Sequence, residues 1–347
     1  MFKKLIEGIS AIAKEPETGF IFEVTARCNN NCLYCYNIWK CGRMKAPQDI
    51  SSLEWSAIAD KLCDESLVRL ITISGGEPFL RKDLPEITHH IASKRIKINL
   101  ITNGTLLSEE NVSKTIEDAT LYEIPLLSDK PEVHDHLSGA KAFERVLDGM
   151  ANVKAAGGDF TAVFVATAIN SKDLLGSCEM AIALGAKSIL YNRFNPGGEG
   201  LKHIEELQIS KEILQSHLDT LESISENYGI GVHCAVPVPP CIIDTSQYKR
   251  LSFGWCPTGK SGAYYTIDPS GKMRPCNHSL SVLGDFRDQR FKDLKSSTQM
   301  QAFKSLLNEE CKTCVHLSKC NGGCRAVSEQ LNAAGKPKSL VPGIYDL

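Results

Sequence analysis

The chain has 347 residues, enough for two domains or one large domain with an extension, and its 42% apolar and 23% charged content is that of a globular protein. Lys+Arg 39 against Asp+Glu 41 leaves a net charge of −2, which removes the electrostatic case for nucleic-acid or membrane-surface binding. No apolar run reaches the ~18 residues of a membrane span, and the start lacks an export cleavage site, so residues 1–19 read as a short amphipathic helix and the protein as cytoplasmic.

From residue 20 to about 230, short β-branched apolar runs alternate with segments of helical period. The runs are 20–25, 69–74, 96–102, 121–127, 160–167 and 188–192. The helical segments are 52–65, 84–94, 109–117, 143–156, 174–184 and 211–228. Such β-then-α units predict a parallel sheet covered by helices, with ligands at the carboxyl ends of the strands. Right-handed connections leave a doubly wound sheet or a full or partial barrel. After residue 230 the chain is Pro-rich at 236–241. It then shows a hairpin with strands 264–268 and 272–275, a polar helical stretch at 288–307, and a dense cysteine run at 311–324.

The 14 cysteines are clustered. A chain this long needs no disulfide framework to build a core, so the clusters point to metal or redox chemistry. Cys41, Cys63 and Cys178 are scattered and read as ordinary thiols. Cys28-x3-Cys32-x2-Cys35 follows the first strand, on the first βα loop. Three close thiolates suit an iron–sulfur cluster that keeps one iron free of protein ligands. The competing reading is a zinc knuckle completed by His or Cys41.

This triad, with Tyr34 before the last cysteine, resembles the signature of the radical S-adenosylmethionine (SAM) enzymes. Gly75-Gly76-Glu77-Pro78, one βα unit later, resembles the loop that holds the methionine amino group of SAM. The two glycines allow close approach, and Glu77 can accept a charge-assisted bond from an ammonium. Asn103 in Thr102-Asn103-Gly104 and Ser128 in Ser128-Asp129 are further SAM-contact candidates by the same resemblance, and Tyr34 is expected near adenine. His134-Asp135 resembles a family dipeptide and equally a capped surface turn. The resemblance implies a partial (βα)6 TIM-like barrel over 20–232. It also implies reductive cleavage of SAM to a 5′-deoxyadenosyl radical that abstracts a hydrogen atom from substrate.

The run Cys256-x14-Gly271-x4-Cys276, then Cys311-x2-Cys314-x5-Cys320-x3-Cys324, resembles the SPASM extension, which carries auxiliary four-iron clusters. It implies a small Cys-rich α+β cluster-binding domain over 233–347. The seventh cysteine of that pattern is missing, and Cys234 and Cys241 are extra. By analogy Cys256, Cys276 and Cys324 share the nearer cluster, with Cys241 as a candidate fourth ligand. Cys311, Cys314 and Cys320 share the outer one, closed by Cys234, by Asp346 or by nothing from the protein. A zinc ribbon in 311–324 is the alternative.

SPASM resemblance favours a peptide or protein substrate that is matured, crosslinked, oxidised or epimerised. A tetrapyrrole-modifying enzyme is the runner-up, and an iron–sulfur electron-transfer protein the non-enzyme alternative. Asn277 stands where sulfatase-maturing members carry Asp, and an amide cannot act as a base. Too few residues precede Phe20 for a leader-binding unit, so the barrel itself or a separate leader-binding protein would recruit a peptide. A flavodoxin or ferredoxin is the expected reductant.

Overall fold

The structure, a computed structural model, describes residues 19–40, 45–260 and 262–335. The expected N-terminal helix, Cys41 and Asp346 lie outside the described residues. Eight strands run in sequence order: β1 Gly19–Thr25, β2 Leu70–Gly75, β3 Lys97–Ile101, β4 Leu121–Pro125, β5 Phe160–Ala166, β6 Ser188–Arg193, β7 Gly231–Cys234 and β8 Leu251–Phe253. Each pairs in parallel with the next. A doubly wound sheet reverses its strand order at a switch point. This one never does between β1 and β8, so the winding is that of a barrel, and it remains open.

Alternation along the strands sorts the two faces. Ile98, Leu100, Tyr122, Ile124, Phe164 and Tyr191 are buried, while their half-buried neighbours Ile101, Glu123, Pro125, Val163, Val165, Leu190 and Asn192 face a cavity. The helix Ser52–Glu65 starts at a reciprocal cap between Ser51 and Glu54 and buries Trp55, Ile58, Ala59 and Leu62. Trp55 packs on Phe22 of β1, ring centroids 4.8 Å apart.

Two elements differ from expectation. The His134-Asp135 segment is a helix, Pro131–Ser138, that buries His134, Leu137 and Ser138, with Pro in its first turn and Gly139 in the left-handed conformation after its end. His134 Nδ1 accepts the Leu127 N–H at 3.3 Å, and Asp135 Oδ1 accepts the N–H groups of Ala142 and Phe143 at 2.8 and 2.9 Å. Both side chains are therefore structural. The stretch 288–307 splits into helices Phe291–Lys295 and Thr298–Lys304, because Ser297 caps the second by accepting from Met300 N.

The C-terminal segment belongs to the same sheet. The hairpin is present as β9 Tyr264–Ile267 and β10 Lys272–Arg274, and β11 Gly284–Asp285 follows. β9 pairs in parallel with β1, giving the order β11-β10-β9-β1-β2-β3-β4-β5-β6-β7-β8. The expected boundary at 232/233 falls inside β7. Tyr265 packs on Phe291 and Phe20, with centroids 5.3 and 6.3 Å apart. Arg274 of β10 is buried against the buried Glu23 of β1, and its Nη1 donates to Ser279 O at 2.7 Å.

Removing one partner of a buried ion pair strands the other charge. Arg274→Ala is therefore expected to lose about 3–5 kcal/mol of stability in anaerobic urea unfolding. Adding Glu23→Gln to Arg274→Met should restore most of it. A loss below about 1 kcal/mol for Arg274→Ala would show that the pair does not hold the hairpin to the barrel.

Candidate active site

A cavity of about 410 Å³ opens at the carboxyl ends of the strands. Cys32, Tyr34 and Cys35 line one side, Gly75, Gly76 and Asn103 adjoin them, and Cys256, Cys276 and Cys324 line another side. Two cysteine sets separated by more than two hundred residues in sequence thus open onto one space.

The first cysteine loop is held from three directions. Asn31 N and Leu33 N donate to Ser138 O and Leu137 O at 3.1 and 3.0 Å, so the loop rests on the end of helix Pro131–Ser138. Leu33 and Tyr34 pack on the buried Leu127, Leu137, Phe194 and Leu207. Gly200 N donates to Cys35 O at 3.2 Å. A Cβ on Gly198, which has φ +51°, would lie 2.6 Å from that same oxygen. This second glycine-rich loop, 196–200, was not singled out from sequence, although its Pro-Gly-Gly follows a strand as Gly75-Gly76 does.

Gly75 and Gly76 serve a different approach from the one expected. Gly76 N donates to Thr25 O and Glu77 N to Arg27 O, each at 2.7 Å. A Cβ at Gly76 would lie 2.0 Å from Arg27 O, and one at Gly75 would lie 2.4 Å from Thr25 O. The glycines let the loop touch the backbone after β1, and only then do they border the cavity.

Glu77 and Ser128 depart from the expected geometry. Glu77 is fully buried and does not line the cavity. Its carboxylate accepts from Thr102 Oγ1 (2.7 Å), Asn103 N (2.7 Å) and Phe79 N (3.1 Å). Burial raises its pKa to about 7, opposed by those donors. Pro78 starts a single 3-10 turn under this loop and is buried. Ser128 is buried and donates to Asp173 Oδ2 at 2.7 Å, and Asp173 also pairs with Lys130. A local motif names the loop but not the direction in which its side chain turns. Asn103 lines the cavity. Its Nδ2 donates to Asn29 Oδ1 at 2.8 Å and reaches Cys28 Sγ at 3.9 Å.

Polar cavity residues missing from the sequence reading are Glu123, Asn192, Asn195 and His278. Burial raises the Glu123 pKa, countered by the Asn99 amide. Burial lowers that of His278 to about 4, and the ring stacks on Tyr36 at 5.0 Å. Asn277 donates to Tyr36 Oη at 2.6 Å. The available signal was strand alternation: Glu123 and Asn192 are polar residues at cavity-facing positions of otherwise apolar strands.

The thiols fall into three groups. Burial, then repulsion from Cys35 and Cys28, pushes Cys32 up to about 12, and burial pushes Cys35 to about 11. Cys276 is raised by burial and then by Cys324, and Cys324 by burial and then by Cys256. Cys241 and Cys311 are raised by burial and then by Cys320. Crowded thiols that oppose one another's ionisation fit a polycationic centre that takes them as thiolates. Among the described residues every cysteine is a free thiol. Among them, too, no three His, Cys, Asp or Glu side chains converge as a single metal ion requires. That disfavours the zinc knuckle and ribbon, whereas a four-iron cluster takes each thiolate on a separate iron. Cys178 is buried in the core and Cys63 packs against it, as ordinary thiols do.

Comparison with known proteins agrees with this arrangement. Residues 22–181 match the model of the radical SAM superfamily, and residues 256–315 match that of the SPASM iron–sulfur cluster-binding domain. The PqqA peptide cyclase of Methylocella silvestris is 28% identical over 338 residues, covering 93% of this chain and 88% of the relative. That of Rhizobium meliloti is 29% identical over 322 residues, covering 89% and 82%. Two solved structures share the fold. Streptococcus suis SuiB bound to the precursor peptide SuiA has a TM-score of 0.74 at 14% identity, covering 99% of this chain and 78% of that one. Native anSMEcpe with bound AdoMet and a peptide has 0.68 at 18%, covering 95% and 93%. Among the described residues no helix is long and apolar enough to cross a membrane. The chain carries a radical SAM domain followed by a SPASM-type domain, and its cofactors are SAM, a four-iron cluster and auxiliary iron–sulfur clusters.

Proposed function

We propose that this protein is a radical SAM enzyme that modifies a peptide. The observation that carries the reading is the single cavity walled by both Cys32–Cys35 and the Cys256, Cys276, Cys324 set. An electron-transfer protein needs no such chamber. Peptide as the substrate class is supported by the PqqA peptide cyclases, which match over most of both chains.

In this reading Cys28, Cys32 and Cys35 hold the SAM-binding cluster, and SAM lies beside Tyr34, Gly75, Gly76 and Asn103. When bound, cluster and SAM together supply a 5′-deoxyadenosyl radical that takes a hydrogen atom from substrate. The chain orients and shields. Ile101, Val163, Val165 and Leu190 offer an apolar wall that excludes water. The Glu123 carboxyl, raised by burial, can hold a proton inside that wall. Asn192 and Asn195 line the cavity, and side-chain amides there can hydrogen-bond the backbone of a peptide. A flavodoxin or ferredoxin supplies the electron, and the barrel itself or a separate leader-binding protein recruits the peptide, in an oxygen-free cytoplasm. Residues 20–232 act as the SAM unit and 233–347 as the auxiliary unit, although one sheet joins them.

The triad is tested by cleavage. Reduced, reconstituted protein should convert SAM to methionine and 5′-deoxyadenosine. The variant with Cys28, Cys32 and Cys35 all changed to Ala should fall to background while retaining iron in its C-terminal half. Full cleavage by that variant would sink the assignment. A precursor peptide encoded beside the gene should gain a mass change on turnover, and an unmodified peptide counts against the peptide reading.

Glu77 is assigned as a clamp between the loops after β2 and β3 rather than as a ligand of SAM. Glu77→Ala leaves three donors without their acceptor and should lose about 1–3 kcal/mol of stability. Glu77→Gln keeps the shape and cannot titrate. The folded pKa of about 7 lies above the ordinary 4.5. The carboxyl's contribution is therefore complete below the unfolded value and is lost as pH rises through 7. Wild-type stability relative to Glu77→Gln should fall by about 1.4 kcal/mol per pH unit across that window. A gap independent of pH would refute the raised pKa.

A further inference from the structure

We infer that Cys241 is the fourth thiolate of the outer auxiliary cluster, standing in for the cysteine that the C-terminal run lacks. The inference rests on the reading above that the C-terminal cysteines hold iron. A small second cavity is lined by Cys241, Cys311, Cys314 and Cys320, with His316 beside them. This lining departs from the grouping that the resemblance implied, which gave Cys241 to the nearer cluster.

The local backbone fits a fixed ligand better than a mobile surface thiol. Cys241 is exposed, but Val238 and Ile243 on either side are buried. Pro239 O accepts from Ile242 N at 2.9 Å and from Ile243 N at 3.3 Å, closing a turn that carries Cys241. Pro239 and Pro240 restrict that turn further. Across the cavity, Cys314 N donates to Cys311 O at 3.2 Å, and His316 N reaches Cys314 Sγ at 3.4 Å.

The competing ligand is placed elsewhere. Cys234 is 1% exposed in the main hydrophobic core, and burial alone accounts for its raised pKa. It lines neither cavity. With Cys241 in the outer set and Cys234 in the core, the other described C-terminal cysteines divide as four and three. The set of three, Cys256, Cys276 and Cys324, lines the large cavity. An iron position without a cysteine therefore belongs to the cluster that faces the substrate chamber.

The test uses the full chain with Cys28, Cys32 and Cys35 changed to Ala, so that only auxiliary iron remains. This protein should carry about eight irons, two four-iron clusters. Adding Cys241→Ala should remove about half of that iron and one of two electron paramagnetic resonance signals. Adding Cys234→Ala or His316→Ala should change neither. Cyanide should perturb the signal that survives Cys241→Ala, as expected of the open set. Cys241→Ser, which offers oxygen in place of sulfur, should keep the outer cluster with a shifted reduction potential and guards against misfolding of the Ala variant. Retention of all iron with unchanged spectra in Cys241→Ala and an unchanged potential in Cys241→Ser would overturn the inference. So would loss of the outer signal in Cys234→Ala or His316→Ala. Absence of auxiliary iron in the parent protein would instead refute the function on which the inference rests.

Discussion

The site depends on one backbone contact, the approach of Gly76 to the carbonyl of Arg27. Any side chain at position 76 would place its Cβ 2.0 Å from that oxygen, closer than two atoms can stand. With glycine there, the loop after β2 closes onto the end of β1 through two N–H···O bonds of 2.7 Å. Glu77 is thereby carried inward to Thr102 and to Asn103 N at the end of β3. The Asn103 side chain then reaches Asn29 and Cys28 in the first cysteine loop. The carboxyl ends of three strands are set in mutual register by this chain of contacts. Polar groups held this way need no rearrangement when a ligand arrives, which is the advantage of a preorganised site.

A second constraint brings the two cysteine sets together. Parallel sheets with free edges are exposed to pairing with other chains. Here the C-terminal third covers both edges of the barrel sheet, with β7 and β8 on one side and β9 on the other. The Glu23–Arg274 pair locks β10 to β1 in the interior, two residues before Cys276. Cys276 becomes part of the cavity wall because the hairpin it follows is a strand neighbour of the barrel. Burial and crowding keep these thiols protonated in the metal-free state, so a cluster must displace their protons as it binds. Metal binding and final folding are expected to be coupled for the same reason.

Much of this was legible in the sequence. The six strand runs and their helices are where the periodicity puts them, because apolar alternation and helical period are local properties. The cysteine triad and the Gly-Gly-Glu-Pro loop were legible as motifs. What sequence could not supply was direction and partnership across long separations. Glu77 is a carboxyl in a ligand-binding motif, yet one donor from its own loop and two from the loop after β3 turn it into the interior. Ser128 is similarly captured by Asp173, 45 residues away. Cys241 is nearer in sequence to Cys256 than to Cys311, yet the folded chain places it on one small cavity with Cys311, Cys314 and Cys320. The helix Pro131–Ser138 had its signals, Pro at the first turn and Gly after the last, but eight residues are too few for periodicity to declare.

The division between what is legible and what is not has a functional counterpart. The chemistry of a radical enzyme lies in its cofactors, so the residues that announce it are cofactor ligands in recognisable motifs. Choice of substrate lies elsewhere. A radical that can attack many C–H bonds is made selective by where the substrate is held, and positioning depends on the shape of the wall. In this chain the wall is built from alternate strand residues, Ile101, Glu123, Pro125, Val163, Leu190 and Asn192. None belongs to a motif, and each is visible as a cavity residue only once strand register is known. The same glycine contact that registers the strands therefore acts on specificity as well as on cofactor binding. A shift of β2 against β1 would move the cysteine loop relative to every one of these side chains.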